Sequence, residues 1–501
     1  MPNGSAVSTT ELERGVSSAD AFAPAAEVPQ IPTRTKAVLA TGDVVEGVVN
    51  GGITTFLLLY LTAVCGLPGT LAGAAMAISL VVDAVADPAI GYTSDTTRSR
   101  WGRRHPYMFA SALPLALAYG LLFTPIAMTS QWLQFAYVTV LLLVVRIGHS
   151  MFMLPYAALG AEITPNYAER SVIMSYRFFF NIITAMAVTF LGLSVFMGGG
   201  DGLLDRDAYA PFGWTCAAIL LAGALASSFG TFKERLRLST PKPDATPMLE
   251  RIVREFRDVF RNRSFVVLFL TAVMFFSAQG THITLQLHAL KYFWMIPEEA
   301  VQFIPILGAL GWLAGVPIGA LMLRRFEKRH IAVGGLAIIS LGQFFPPVLK
   351  LMGVLPSPDE ASVALVAILV AFGMAVGATF AACGIALGSM MADAADEHEM
   401  LFGQRREGVY FAGLSLSVKA STGVGVLIAG VALDLIGFPQ DPAVLSAGEI
   451  PPDVVRALGV VQGPVAAFIS FTSALILTRY RIGAKEHARI QAEITRRKVE
   501  A

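Results

Sequence analysis

The chain has 501 residues, 55% hydrophobic and 15% charged, with a mean hydropathy of +0.62. Soluble domains carry about 25% charged residues, so these figures exclude an ordinary water-soluble enzyme, and equally disorder, collagen or a disulfide scaffold. Its 37 basic and 36 acidic residues leave a formal net charge of +1, which offers nothing to nucleic acid as a partner.

Residues 1–35 mix Ser, Thr, Ala, Pro and acids without an apolar segment or a cleavage signature. They read as a disordered extension and not as a signal peptide. Downstream, a bilayer core of about 30 Å takes roughly 20 helical residues, and lipid tolerates no unpaired backbone. Twelve apolar runs meet that requirement, at about 37–63, 70–94, 106–128, 131–161, 171–198, 211–231, 264–292, 297–323, 330–353, 361–391, 407–437 and 456–480. The expected fold is an all-α integral membrane protein with one six-helix bundle over 36–231 and another over 264–481. The longest connection, 232–263, joins them, and a basic tail follows over 482–501. Within the connection, Leu249, Ile252, Val253, Phe256, Val259 and Phe260 recur at helical spacing, which predicts an amphipathic surface helix.

Short cytoplasmic loops are enriched in Lys and Arg. Arg98, Arg100, Arg103 and Arg104 follow the second run, Lys233 to Arg263 include nine basic residues after the sixth, and Arg324, Arg325, Lys328 and Arg329 follow the eighth. The other side holds Asp201, Asp205, Asp207, Glu298, Glu299, Asp441 and Asp453. Both termini are therefore expected in the cytoplasm. Cys65, Cys216 and Cys383 are odd in number, sit in apolar surroundings and lack paired spacing, so they read as buried thiols. Twelve spans divided six and six by a basic loop resemble the major facilitator architecture, two bundles rocking about a central cavity.

An ionisable group deep in a span costs on the order of 3 kcal/mol or more and is by default a functional candidate. In the second run Asp83 and Asp87 share one helix face, with Pro88 breaking the backbone ladder beside them. Two carboxylates this close stay ionised only with a cation between them, and oxygen ligands suit Na⁺ or a proton. The alternative is a salt bridge to a neighbouring helix. Asp95, Arg103 and Arg104 at the rim suit charge pairing and gating, or anchoring at the membrane surface.

In the fifth run Arg177, Asn181 and Thr184 form one polar stripe. Arg177 there either holds a substrate oxygen or neutralises Asp83 and Asp87. Lys419 lies at mid-span in the eleventh run and needs a partner; it reads as a cavity residue that meets substrate, with a plain buried ion pair as the alternative. Asp43, Glu46, Asn50 and Thr54 in the first run, Asp43 and Glu46 shallow enough to be wet, and Gln279, His282 and Gln286 in the seventh, are sparse polar positions of the kind that orient a hydroxylated ligand; interhelical hydrogen bonding is the bland reading. Arg146 in the fourth run reads as an ion-pairing residue of the first bundle. No Walker loop, HExxH or paired CxxC occurs, so neither enzyme chemistry nor a cofactor is expected.

Asp83-x-x-x-Asp87-Pro88-x-x-Gly91, Asp95, the Trp101-Gly102-Arg103-Arg104-x-Pro106 loop, Leu154-Pro155-Tyr156, Glu169-Arg170, Tyr176-Arg177 and the stretch from Ala392-Asp393 through Arg405-Arg406-Glu407 to Lys419 resemble the glycoside-pentoside-hexuronide:cation symporters, the family of the melibiose carrier. The resemblance implies that Asp83 and Asp87 bind Na⁺, Li⁺ or H⁺, that Arg177 touches sugar, and that Lys419 is linked to the cation site. It also departs from the family: Gly47 and Met153 stand where the melibiose carrier has sugar-binding Asp residues, and Ala157 replaces its stacking Trp. The expectation is a functional monomer in the inner membrane, coupling a monovalent cation to a sugar or glycoside by alternating access. A lysophospholipid or other amphiphile is the second candidate substrate.

Overall fold

The computed structural model describes residues 31–126, 128, 130–164, 167–198, 202–237, 257–356, 358–403, 407–446 and 450–500. The extension over 1–30, the amphipathic stretch from Leu249 to Phe256, and Arg405 and Arg406 lie outside the described residues. The first bundle comprises α1 (Thr33–Val64), α2 (Gly69–Thr96), α3 (His105–Leu122), α4 (Gln131–Glu162), α5 (Tyr167–Phe190) and α6 (Arg206–Gly230). The second comprises α7 (Arg263–Phe293), α8 (Phe303–Leu323), α9 (Lys328–Leu351), α10 (Pro358–Phe402), α11 (Glu407–Leu435) and α12 (Pro452–Leu477). Eleven are long and apolar enough to cross a bilayer. The twelfth, α3, has 18 residues opened by the polar His105, and packs between α4 and α6. Trp132, Phe179, Val363 and Phe468 stand exposed on the outside, where lipid and not water is their solvent.

Packing inside each bundle uses small residues, because lipid supplies no hydrophobic drive between helices and close van der Waals contact must substitute. Gly311, Gly315 and Gly319 of α8 lie directly against the α10 backbone at Met374, Ala378 and Ala382. Helices α1 and α7, equivalent in the two halves, both end in a wide π-turn, at Tyr60–Val64 and Ala289–Phe293. Such turns loosen the backbone ladder where helices are re-aimed.

Three sequence expectations are corrected. Residues 31–35 belong to the bundle: Ile31 is buried, and its N–H donates to Glu169 Oε1 at 2.9 Å. Lys36 Nζ reaches the same oxygen at 2.8 Å and Thr164 donates to Oε2 at 2.7 Å; the bond from Lys36 holds this carboxyl below the usual carboxylate range. Helix α10 runs beyond the expected end at 391 to Phe402, carrying Asp393 and Asp396 out of the apolar run to polar partners. The basic tail is a helix, α13 (Ala484–Glu500), whose Ile490 and Ile494 are buried while His487 and Gln491 meet Asp396 at 3.2 and 2.7 Å. An apolar stripe on a charged helix needs a surface to cover it, and the α10 extension provides one.

The bundles meet unevenly. At the end opposite the basic loops, Thr62 Oγ1 lies 2.9 Å from His288 Nε2, Ser194 hydrogen bonds Gln302, and Asp434 of α11 accepts the N–H groups of Gly69 and Thr70 at 2.8 and 2.7 Å. Asp434 thus caps the first turn of α2 from the other bundle, a carboxylate on the positive end of a helix. At mid-depth Phe178 packs on Trp312 with ring centroids 5.0 Å apart. Near the basic end the ion pairs stay within one bundle, among the described residues: Lys36 to Glu169 and Arg104 to Glu162 in the first, Lys328 to Asp393 in the second. The space between bundles is closed at the end opposite the basic loops.

Candidate cation and substrate site

Helix α2 places Asp83 and Asp87 one turn apart on the face turned to α11. Lys419 of α11 reaches both, with Nζ 2.8 Å from Asp83 Oδ2 and 2.5 Å from Asp87 Oδ2. Asp83 is 1% exposed, and its other oxygen accepts a hydrogen bond from Ser150 Oγ of α4 at 2.5 Å. Asp87 Oδ1 is buried and has no hydrogen-bond partner. The ammonium supplies the positive charge that two adjacent carboxylates require in low dielectric, and the fourth carboxylate oxygen is left over. The contact extends toward the closed end through Gly73 against Val426 and Gly69 against Gly430. The Lys419 bridge is the mid-depth part of this α2–α11 contact.

Arg177 does not reach Asp83 or Asp87. Its Nε donates to Asp43 Oδ2 at 2.6 Å, Nη2 lies 3.4 Å from Oδ1, and the guanidinium stacks 4.4 Å from the centre of the Tyr156 ring. Tyr156 itself donates to Asp43 Oδ2 at 2.7 Å. Asp43 looked shallow in the sequence yet is buried, because α4 and α5 close over it. Three residues of α1, α4 and α5 thus form a closed unit that spends the Arg177 charge.

One turn further along α1, Glu46 Oε2 lies 2.7 Å from His149 Nε2, and Asn50 Nδ2 donates to Glu46 Oε1 at 2.9 Å. Arg146 makes no ion pair within 4 Å among the described residues; it interacts at longer range with Asp83 and Glu46, and its Nε is buried without a partner. Gly47 faces α5 directly: a Cβ there would lie 2.6 Å from the Asn181 carbonyl oxygen and 2.7 Å from Thr184 Cβ. No side chain fits without moving α5, so Gly47 packs α1 against the Asn181 backbone and Thr184.

In the second bundle Gln279 Oε1 accepts from Gln343 Nε2 at 3.0 Å, while His282 and Gln286 line a cavity shared with α9, α10 and α12. Gln343 and Gln462, which complete that cavity, were visible in the sequence only as isolated amides in apolar runs. At the basic rim, Arg104 joins Asp95 and donates to Ser94 Oγ at 3.1 Å; Arg104 Nη2 and Arg103 Nη2 grip the two oxygens of Glu162 at 2.8 and 2.6 Å. All these groups belong to the first bundle, so the network fixes the α2–α3 turn to α4 and does not bridge the two bundles. Glu162→Ala leaves the largely buried Arg103 guanidinium without its carboxylate and takes one of two carboxylates from Arg104, and should destabilise the detergent-solubilised protein by about 3 kcal/mol. Asp95→Ala, at a half-exposed carboxylate, should cost under about 1 kcal/mol; thermal unfolding of the two variants checks the order.

A family model described as MFS/sugar transport protein matches residues 38–484. The chain belongs to that family. An uncharacterised symporter of Synechocystis is 26% identical, over 92% of this chain and 96% of its own length. A putative glycoside/cation symporter of Escherichia coli K12 is 25% identical, over 92% and 94%. Among solved structures, the inward open xylose transporter XylE from E. coli superposes with a TM-score of 0.59 at 14% identity, covering 92% of this chain and 99% of that one. The transporter therefore has the major facilitator fold, twelve spanning helices in two bundles, and is a multi-pass membrane protein and not an enzyme.

Proposed function

We propose that the transporter couples inward movement of a sugar or glycoside to a monovalent cation at Asp83 and Asp87, with the basic loops and both described ends of the chain in the cytoplasm. The unpartnered Asp87 Oδ1 carries this reading. An oxygen-only group of Asp83, Asp87 and the Ser150 hydroxyl suits Na⁺, Li⁺ or a proton, and Lys419 holds the place of that cation when none is bound. The mid-membrane charges support it: four carboxylates, Asp43, Glu46, Asp83 and Asp87, face three permanent cations, Arg146, Arg177 and Lys419. One further positive charge at Asp87, a metal cation or a proton, completes the balance.

Cation entry displaces Lys419 from α2 and so loosens its mid-depth bridge between the bundles. Substrate bound between the bundles then replaces that link, which makes each ligand favour the other by the same factor. A sugar is favoured over a lysophospholipid by the sugar-transport family match and by the similarity to a putative glycoside/cation symporter. Uptake in vesicles under a Na⁺ gradient or a pH gradient separates the ions. Asp87→Asn should abolish the response to whichever gradient drives uptake, and an unchanged response in that variant would overturn the assignment.

A further inference from the structure

At the basic end of the second bundle a cavity of about 380 Å³ opens between the α8–α9 turn and the start of α13. At about 10–15 Å³ per water it has room for roughly 25 to 38 waters, far more than one bound ion needs. Its wall carries four permanent cations, Arg324, Arg325, Lys328 and Arg329, against two carboxylates, Glu327 and Asp393. Two of the cations are spent inside the protein. Lys328 Nζ holds both oxygens of Asp393 at 2.7 Å, and Arg329 Nη2 donates to the Thr478 carbonyl oxygen at 2.8 Å. The side chains of Arg324 and Arg325 make no hydrogen bond or ion pair among the described residues, and both are exposed. Glu327 sits on the α13 side, its Oε2 3.5 Å from the place of a Cβ on Gly483.

The depth of this cavity follows from the helices that bound it. The apolar span of α8 stops at Leu323 and that of α9 begins at Lys328, so the turn between them lies where hydrocarbon gives way to lipid headgroups. Leu321 is 61% exposed and Phe326 58%, so large apolar side chains flank the two arginines on both sides. Free guanidinium groups beside an uncovered apolar collar suit a ligand with an anionic head and an apolar body. A phosphodiester accepts from the guanidinium fork, and acyl chains cover Leu321 and Phe326. A free phosphate ion would meet the first need and leave the second in water. The first turns of α9 and α13 also form part of the wall, and the positive ends of the two helices add to the potential there.

We infer that this cavity binds the phosphodiester headgroup of an anionic membrane phospholipid, with Arg324 and Arg325 as its ligands and Leu321 and Phe326 against its acyl chains. A headgroup seated there joins the α8–α9 turn to the start of α13. The inference goes beyond the sugar and cation assignments and depends on neither. It also differs from the general attraction of basic loops for anionic lipid, because it names one enclosed place. Arg98 and Arg100, exposed on the α2–α3 turn, carry the same charge at the same end of the molecule and lie outside the cavity, which makes them the comparison.

The purified full-length transporter in detergent micelles is titrated with phosphatidylglycerol and with phosphatidylcholine of the same acyl chains, and bound lipid is counted by native mass spectrometry. The wild type should bind phosphatidylglycerol about tenfold or more tighter than phosphatidylcholine. Arg324→Gln/Arg325→Gln should lose about tenfold or more of the phosphatidylglycerol affinity, and Arg98→Gln/Arg100→Gln should stay within about twofold of the wild type. Inorganic phosphate in large excess should leave the lipid bound. Thermal unfolding without added lipid shows that each variant is folded; should the Arg324/Arg325 double variant fail that check, Arg325→Gln alone should weaken binding about threefold or more. Unchanged affinity in the folded Arg324 and Arg325 variants, or an equal loss in Arg98→Gln/Arg100→Gln, overturns the inference and leaves only the diffuse attraction of a basic surface. No preference for phosphatidylglycerol in the wild type overturns it as well. Displacement by inorganic phosphate overturns the lipid assignment and makes the cavity a site for soluble anions.

Discussion

Asp83→Ala should abolish cation-driven uptake in vesicles while the protein still inserts and purifies as a folded transporter. The substitution removes one of two carboxylates that would hold the ion, and a hydrogen bond to a charged group contributes about 1.5–3 kcal/mol. Cation affinity should therefore fall by about 10- to 150-fold. Folding survives because Lys419 keeps Asp87 at 2.5 Å and its side chain retains 28% exposure, so no charge is stranded in lipid. Lys419→Met should show the reverse signature. With the competing ammonium gone, Asp83 and Asp87 are adjacent anions that bind a cation or a proton more tightly and release it more slowly, so cation binding strengthens while turnover falls. Binding measured by cation-dependent thermal shift, set against uptake, distinguishes the two. If both variants transport at the wild-type rate under a cation gradient, the triad is a structural ion pair and the coupling site lies elsewhere.

Gly430→Leu should stop transport at the other end of the same helix pair. A Cβ at Gly430 would lie 2.1 Å from the Gly69 carbonyl oxygen, and a Cβ at Gly69 would lie 2.4 Å from that of Gly430. Neither obstacle is a side chain that can rotate away, so α2 and α11 must separate. Separation also breaks the two bonds from Gly69 and Thr70 to Asp434. Losing such charge-assisted bonds to a helix N-terminus costs about 2 kcal/mol or more in total, which shifts the balance between closed and open forms of this end by about 30-fold or more. The variant should bind substrate from the outer side and fail to release it inside. Thiol labelling of a Thr70→Cys reporter should rise in the Gly430→Leu background, and wild-type counterflow in that background would sink the argument. Asp434→Asn, which keeps the shape and removes the charge, should give a smaller shift in the same direction.

The helical architecture was legible in the sequence because a bilayer imposes one rule everywhere: backbone must pair internally, and that takes about 20 apolar residues per crossing. The misplaced ends lie where the rule stops applying. Asp393 and Asp396 interrupt the apolar run and seemed to end α10, yet Lys328, His487 and Gln491 satisfy them outside the lipid. The sequence also marked the candidate site well, since Asp83, Asp87, Arg177 and Lys419 stand out in apolar runs. It did not assign their partners. Arg177 was open to pairing with Asp83 or with substrate, and the folded chain gives it to Asp43, 134 residues away.

Composition and pattern by themselves determined that the chain spans a membrane twelve times, which end carries the basic loops, and which few ionisable groups sit in the lipid-facing runs, because the solvent excludes everything else. Tertiary structure alone decided that Lys419 meets Asp87 across 332 residues of chain, that Gly47 is sealed by α5, and that four uncharged side chains from α7, α9 and α12 share one cavity. Charge can be read one residue at a time, but pairing and enclosure depend on which helix faces come together, and that is settled by packing between segments far apart in the chain.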